Sequence, residues 1–125
     1  MPQTQNIIGL VYDFDKTLSP NSMQEDTVLP YLGLDSAKFW AETDRLVAED
    51  SYEAELAWMQ LLLEKEEFRN LSNQDLQHMG LKLKYYAGVP EIFKQLEEVL
   101  DRPAYREYGV TIEHYIITSG LSEIL

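Results

Sequence analysis

The 125-residue chain carries 22 acidic against 10 basic residues, a formal net charge of −12, with 45% apolar and 11% aromatic residues and no cysteine. That is enough apolar content for one domain with a core, or one domain plus a lid, and it excludes disulfide scaffolds, thiolate metal sites and cysteine nucleophiles. So acidic a chain repels phosphate backbones, which makes nucleic acid a poor partner, while a small phosphorylated ligand needs only a local site.

The opening "MPQTQNIIGL" lacks the cationic start and apolar core of a signal peptide, and no apolar run approaches the roughly 20 residues of a spanning helix. The expectation is a soluble, cytoplasmic protein with no membrane partner. Ile7–Tyr12, "IIGLVY", is branched and aromatic without polar alternation. That predicts a strand covered on both faces, as in a parallel sheet. It runs into "DFDKTLSPNS", two carboxylates followed by a loop signal.

From about residue 22 to 86 the chain reads as helical. "DSAKFWAETDRLVAED" opens on a capping aspartate, with Phe39, Thr43 and Leu46 at i, i+4, i+7. In "SYEAELAWMQLLLEKEEF" the face is Ala54, Trp58, Leu61 and Leu62. "LSNQDLQHMGLKLKYY" begins with Ser72 as N-cap and Asp75 three residues on. Trp40, Trp58, Met59 and Met79 read as bundle core, and the acidic stretches as solvated helix faces. "GVPEIFKQLEEVL" is a marked helix, with Pro90 in its first turn and Ile92, Phe93, Leu96, Val99 and Leu100 on one face. "DRPAYREYG" reads as a loop, Ile112–Thr118 as a second strand, and "LSEIL" as the first turn of another helix. His78 and His114 fall in no motif and receive no role.

Two strands joined through a helix form a crossover in a parallel sheet. Ligand sites in such sheets lie outside the carboxyl ends of the strands. Asp13 and Asp15 follow the first strand; Thr118 and Ser119 follow the second. Adjacent parallel strands would bring both clusters to one sheet edge. Paired carboxylates there are costly without a cation, a hydrogen-bond cage or a catalytic role. One carboxylate can attack phosphorus to form an acyl-phosphate. The other can protonate the leaving oxygen and later deprotonate water. Mg²⁺ would offset their repulsion for a dianionic phosphate.

"VYDFDKTLS" resembles the first motif of the haloacid dehalogenase-like hydrolase superfamily, an apolar strand followed by Asp-x-Asp-x-Thr, and "HYIITSG" is similar to its second, a strand followed by Ser or Thr. "YYAGVPEIFKQL" resembles the helix before that second strand, and the helical insertion stands where some members carry a cap. The resemblance implies an α/β fold, a Rossmann-like parallel-sheet core with a helical cap insertion: residues 1–21 and 87–125 as partial core, 22–86 as cap. It implies Asp13 as nucleophile and Mg²⁺ ligand, and Asp15 as general acid/base offering Mg²⁺ its backbone carbonyl. Thr17 would support the loop. Ser119, with Thr118 as the less favoured neighbouring hydroxyl, would bind the phosphoryl group, and Gly120 would let the backbone turn beside it. Lys16 holds a position often occupied by Gly.

The superfamily's later motifs, a Lys and further Mg²⁺-binding acids, do not occur within these 125 residues. The chain is therefore expected to be part of a longer hydrolase, a truncated product, or one that completes its site with another chain. As given, it should be a poor catalyst that self-associates unless a complementing C-terminal segment is supplied. The parent activity would be Mg²⁺-dependent hydrolysis of a small phosphate monoester through an aspartyl-phosphate. The alternative is a non-catalytic, degenerate hydrolase-fold binding module. A response-regulator-like phosphoacceptor also uses a strand-end Asp with Thr or Ser, but the long helical insertion argues against it.

Overall fold

The computed structural model describes residues 5–125 and is mixed α/β, with helices and a two-stranded parallel sheet. In chain order the elements are β1 (Ile7–Asp13), α1 (Met23–Asp26), α2 (Val28–Tyr31), α3 (Ser36–Asp50), α4 (Ala54–Leu63), α5 (Glu66–Arg69), α6 (Asn73–Gly80), α7 (Val89–Leu100), α8 (Pro103–Arg106) and β2 (Thr111–Ile117). The chain divides into two compact units. Among the described residues no helix is long and apolar enough to cross a membrane.

The first unit comprises residues up to Pro20 and Lys84–Thr118. The two apolar runs pair in parallel, in register from Ile7 opposite Thr111 to Asp13 opposite Ile117. The strands and their orientation are as the sequence predicts, with β1 running one residue further, to Asp13, and β2 lying one residue earlier, at Thr111–Ile117. Asn6 pins the start of the pair: its carbonyl accepts from Thr111 N at 2.8 Å and its Nδ2 donates to the Gly109 carbonyl at 2.8 Å. α7 starts at Gly88, whose φ of 88° suits a residue without Cβ, and Pro90 sits in its first turn as expected. Phe93 of α7 meets Tyr12 edge-on at 5.5 Å and His114 at 4.9 Å, so the helix lies on the Tyr12–His114 face of the sheet.

The other face differs from the expected double cover. Ile7, Val11, Tyr115 and Ile117 each keep half or more of their surface exposed, because one crossover helix can cover only one face. α7 itself has no fully buried residue. The expected loop after it contains the helical turn α8, with Pro103 supplying a helical φ at its start.

The second unit comprises Asn21–Leu83 with Ser119–Leu125. Its helices are capped much as the residues predict. Asp35 Oδ1 accepts from Lys38 N at 2.9 Å at the start of α3, and Ser72 and Asp75 form a reciprocal box on α6. The core gathers Met23, Val28, Leu29, Phe39, Ala57, Trp58, Leu62, Met79 and Ile124. Trp58 and Met79 are buried as predicted, while Trp40 and Met59 are half-buried. On α4 the buried face is Ala57, Trp58 and Leu62; Ala54, at the open first turn, is exposed. The tail, which the sequence division groups with the sheet, sits among these helices: Leu121 N donates to Met23 Sδ at 3.3 Å and Ile124 is 3% exposed.

Candidate functional site

β1 delivers Asp13 at its carboxyl end, and the next six residues fold into a turn closed on a single carbonyl. Phe14 O accepts from Leu18 N at 2.9 Å, Thr17 N at 3.2 Å and Ser19 N at 3.3 Å. Phe14 and Leu18 are the apolar anchors of this turn, 2% and 5% exposed. Phe14 meets Tyr85 edge-on, and the Leu18 carbonyl accepts from Tyr86 N at 3.0 Å. With Phe14 and Leu18 turned inward, Asp13, Lys16 and Thr17 point to solvent, and Asp15 is half-buried. Lys16 takes a φ of 61°, a left-handed conformation that costs a non-glycine residue about 1–2 kcal/mol. Asp15 also makes a backbone bridge with Ser19.

Thr17 Oγ1 donates to Asp13 Oδ2 at 3.2 Å. This single hydrogen bond fixes one oxygen of the leading carboxylate. Behind it, Tyr12 stacks on His114 at 5.9 Å, their Oη and Nδ1 atoms 3.1 Å apart, which braces the end of β1. His114, given no role from sequence, is thus a packing residue next to the site; nothing in its sequence neighbours signals that contact.

The structure therefore brings Asp13, Asp15 and Thr17 into one strand-end turn. Thr118 stands one residue beyond Ile117, the register partner of Asp13, at the same strand edge. Ser119 and Gly120 sort with the helical unit. Among the described residues no group of three or more His, Asp or Glu side chains is set to hold a metal. The donor set of Asp13 and Asp15 nonetheless suits Mg²⁺, which commonly takes one or two carboxylates and fills its remaining positions with water and substrate oxygens.

No family model matches the chain, and no solved structure matches it. An uncharacterized protein of Borreliella burgdorferi is similar, 28% identical over 134 residues, in an alignment that takes in all of this chain and 46% of that protein. The chain thus spans about half the length of the curated relative it matches.

Proposed function

We propose that this chain carries the nucleophile and acid/base of a Mg²⁺-dependent phosphomonoester hydrolase of the haloacid dehalogenase-like type, acting on a small phosphorylated metabolite in the cytoplasm. In this reading residues 1–21 and 87–125 are part of a Rossmann-like core and residues 22–86 are a cap. The observation that supports it is the strand-end turn in which Asp13 is held by Thr17 Oγ1 two residues before Asp15.

The Asp13 carboxylate attacks phosphorus, forming an acyl-phosphate as the bond to the leaving oxygen breaks. Asp15 gives that oxygen a proton. Water then attacks the phosphorus, Asp15 takes its proton, and the bond to Asp13 breaks, releasing inorganic phosphate and restoring the Asp13 carboxylate and the protonated Asp15 with which the cycle began. Thr17 keeps Asp13 oriented through both steps. Thr118 and, by its place in the sequence motif, Ser119 donate hydroxyls to the phosphoryl oxygens, with Gly120 allowing the backbone to turn. Mg²⁺, held by Asp13 and Asp15, would offset the charge brought together by carboxylates and phosphate dianion.

The test is hydrolysis of an aryl phosphate with and without Mg²⁺, by this chain and by a longer protein that contains it. Asp13→Asn should abolish Mg²⁺-dependent turnover, since an amide is a poor nucleophile and a weaker metal ligand. Turnover that survives this change removes the mechanism, and a longer protein with no phosphatase activity leaves a binding module instead.

A further inference from the structure

Beside its buried face of Ala57, Trp58 and Leu62, α4 carries a second apolar row, Leu56, Met59 and Leu63, spaced i, i+3, i+7. This row is not sealed into the core: Leu56 and Leu63 are 58% and 51% exposed, and Met59 is half-buried. Where the row meets α5 and the tail, the helical unit has a cavity of about 160 Å³ walled by Trp58, Met59, Leu62, Leu63, Phe68 and Leu121. Its surface is wholly apolar. Trp58 and Leu62 are buried and close its inner end, while the half-exposed Leu63 marks its mouth. The tail wall is anchored: Leu121 N donates to Met23 Sδ at 3.3 Å, and the Leu121 carbonyl accepts from Ile124 N at 3.0 Å. Water gains no hydrogen-bond partner from such walls, and an apolar cavity of about 150 Å³ stays dry and takes up benzene.

We infer that this cavity is a binding site for an uncharged aromatic group of about the size of benzene. The volume sets the size, since it holds one ring and no more. The walls set the chemistry. Trp58 and Phe68 offer ring edges and faces to a third ring, and the Met59 thioether makes a favourable contact with an aromatic rim. A charged ligand finds no opposite charge there, and an anion also meets the repulsion of a chain of net charge −12. This inference does not rest on the hydrolase reading, because all six wall residues lie in the helical unit.

Benzene is the probe, titrated into this chain and followed by backbone amide NMR shifts, with pyrazine as the control. Pyrazine has the same shape but a ring nitrogen at each end, so one nitrogen is buried without a partner whichever way it enters, which should weaken binding about tenfold. The variant Leu63→Trp fills the mouth. Leu63 is the last residue of α4 and half-exposed, so the core is left intact, and unchanged amide shifts in α1 and α6 establish that the variant folds. Saturable benzene binding at about 1 mM or tighter, with shifts centred on residues 58–68 and Leu121 and binding weaker by about tenfold or more for pyrazine and for Leu63→Trp, supports the inference. No saturation, shifts scattered over the unit, a smaller loss with pyrazine, or binding that Leu63→Trp leaves unchanged overturns it. Shifts at the same amides on dilution of the protein alone overturn it as well, because they place a second copy in the cavity.

Discussion

Glu25 shows how a single polar side chain can organise the helical unit. Its Oε2 accepts from Ser22 N and Ser22 Oγ, both at 2.8 Å, while Oε1 accepts from Ser36 Oγ at 2.9 Å and Trp40 Nε1 at 3.2 Å. One carboxylate thus ties α1 to the first two turns of α3. Burial alone would push its pKa up, but the hydrogen bonds from Ser22, Ser36 and Trp40 outweigh that and hold it below the ordinary 4.5. A folded-state pKa lowered in this way contributes stability that is present above about pH 4.5 and is lost as pH falls through the folded value. Glu25→Gln places an amide donor against the Ser22 N–H and should cost about 1–3 kcal/mol at neutral pH. Urea unfolding from pH 7 to 3 checks both points: the variant should be less stable at pH 7, and the gap should close toward pH 3. At the turn after β1, Thr17→Val removes the hydroxyl that holds Asp13 while keeping the side chain's shape. If Asp13 is the nucleophile, kcat should fall about 10- to 100-fold, the scale expected for a misoriented reacting group, with the melting temperature nearly unchanged because Thr17 is exposed. Loss of melting temperature without a change in kcat would make Thr17 a structural residue only.

The seating of the tail on α6 turns on one glycine. A Cβ built on Gly80 runs into the carbonyl oxygen of Ile124, a backbone atom with little room to give. Gly→Ala gains about 1 kcal/mol in a helix interior and less at Gly80, the last residue of α6; here the clash should outweigh it and cost about 1–3 kcal/mol, as overpacking does. The sign should reverse in a chain ending at Gly120, where the same substitution meets no tail and recovers the helical gain. Chemical denaturation of the four proteins decides it, and a destabilising Gly80→Ala in the shortened chain would mean that something other than Ile124 fills the space. The capping of α3 and α6 was legible in the sequence because Asp35, and Ser72 with Asp75, act on backbone groups within three residues. So were both strands, through their branched and aromatic composition, and the Asp13–Thr17 spacing, which spans one turn. A contact that joins residues far apart, Ile124 over Gly80, was not legible, and the left-handed turn at Lys16 was signalled only by the resemblance, which often puts Gly there, and not by the lysine itself. Nor does an apolar strand state how many layers will cover it, which is why β1 and β2 expose a face their composition assigns to a core. The grouping of Asp13, Asp15 and Thr17 follows from local spacing, whereas Ser119 belongs to a segment whose partners only the fold reveals.

For the molecule as a whole, the open sheet face and the net charge act in opposition. Ile7, Val11, Tyr115 and Ile117 present apolar surface with half or more of each side chain still exposed. Burying the remainder gains roughly 1 kcal/mol for each residue, so two such faces in contact gain about 8 kcal/mol. Association itself costs at least about 4 kcal/mol. The balance of about 4 kcal/mol corresponds to a millimolar dissociation constant. Two copies at −12 each repel one another, over a screening distance of about 30 Å at 0.01 M salt but only about 3 Å at 1 M. The chain should therefore sediment as a monomer in dilute buffer and associate weakly and reversibly in 1 M NaCl at high protein concentration. The double change Val11→Thr with Ile117→Thr keeps β-branched residues suited to a strand while removing much of the apolar face, and it should hold the protein monomeric at both salt levels. If the double variant associates as the parent does in 1 M salt, the contact lies elsewhere on the surface; if the parent associates equally at low salt, charge repulsion is not what keeps the copies apart.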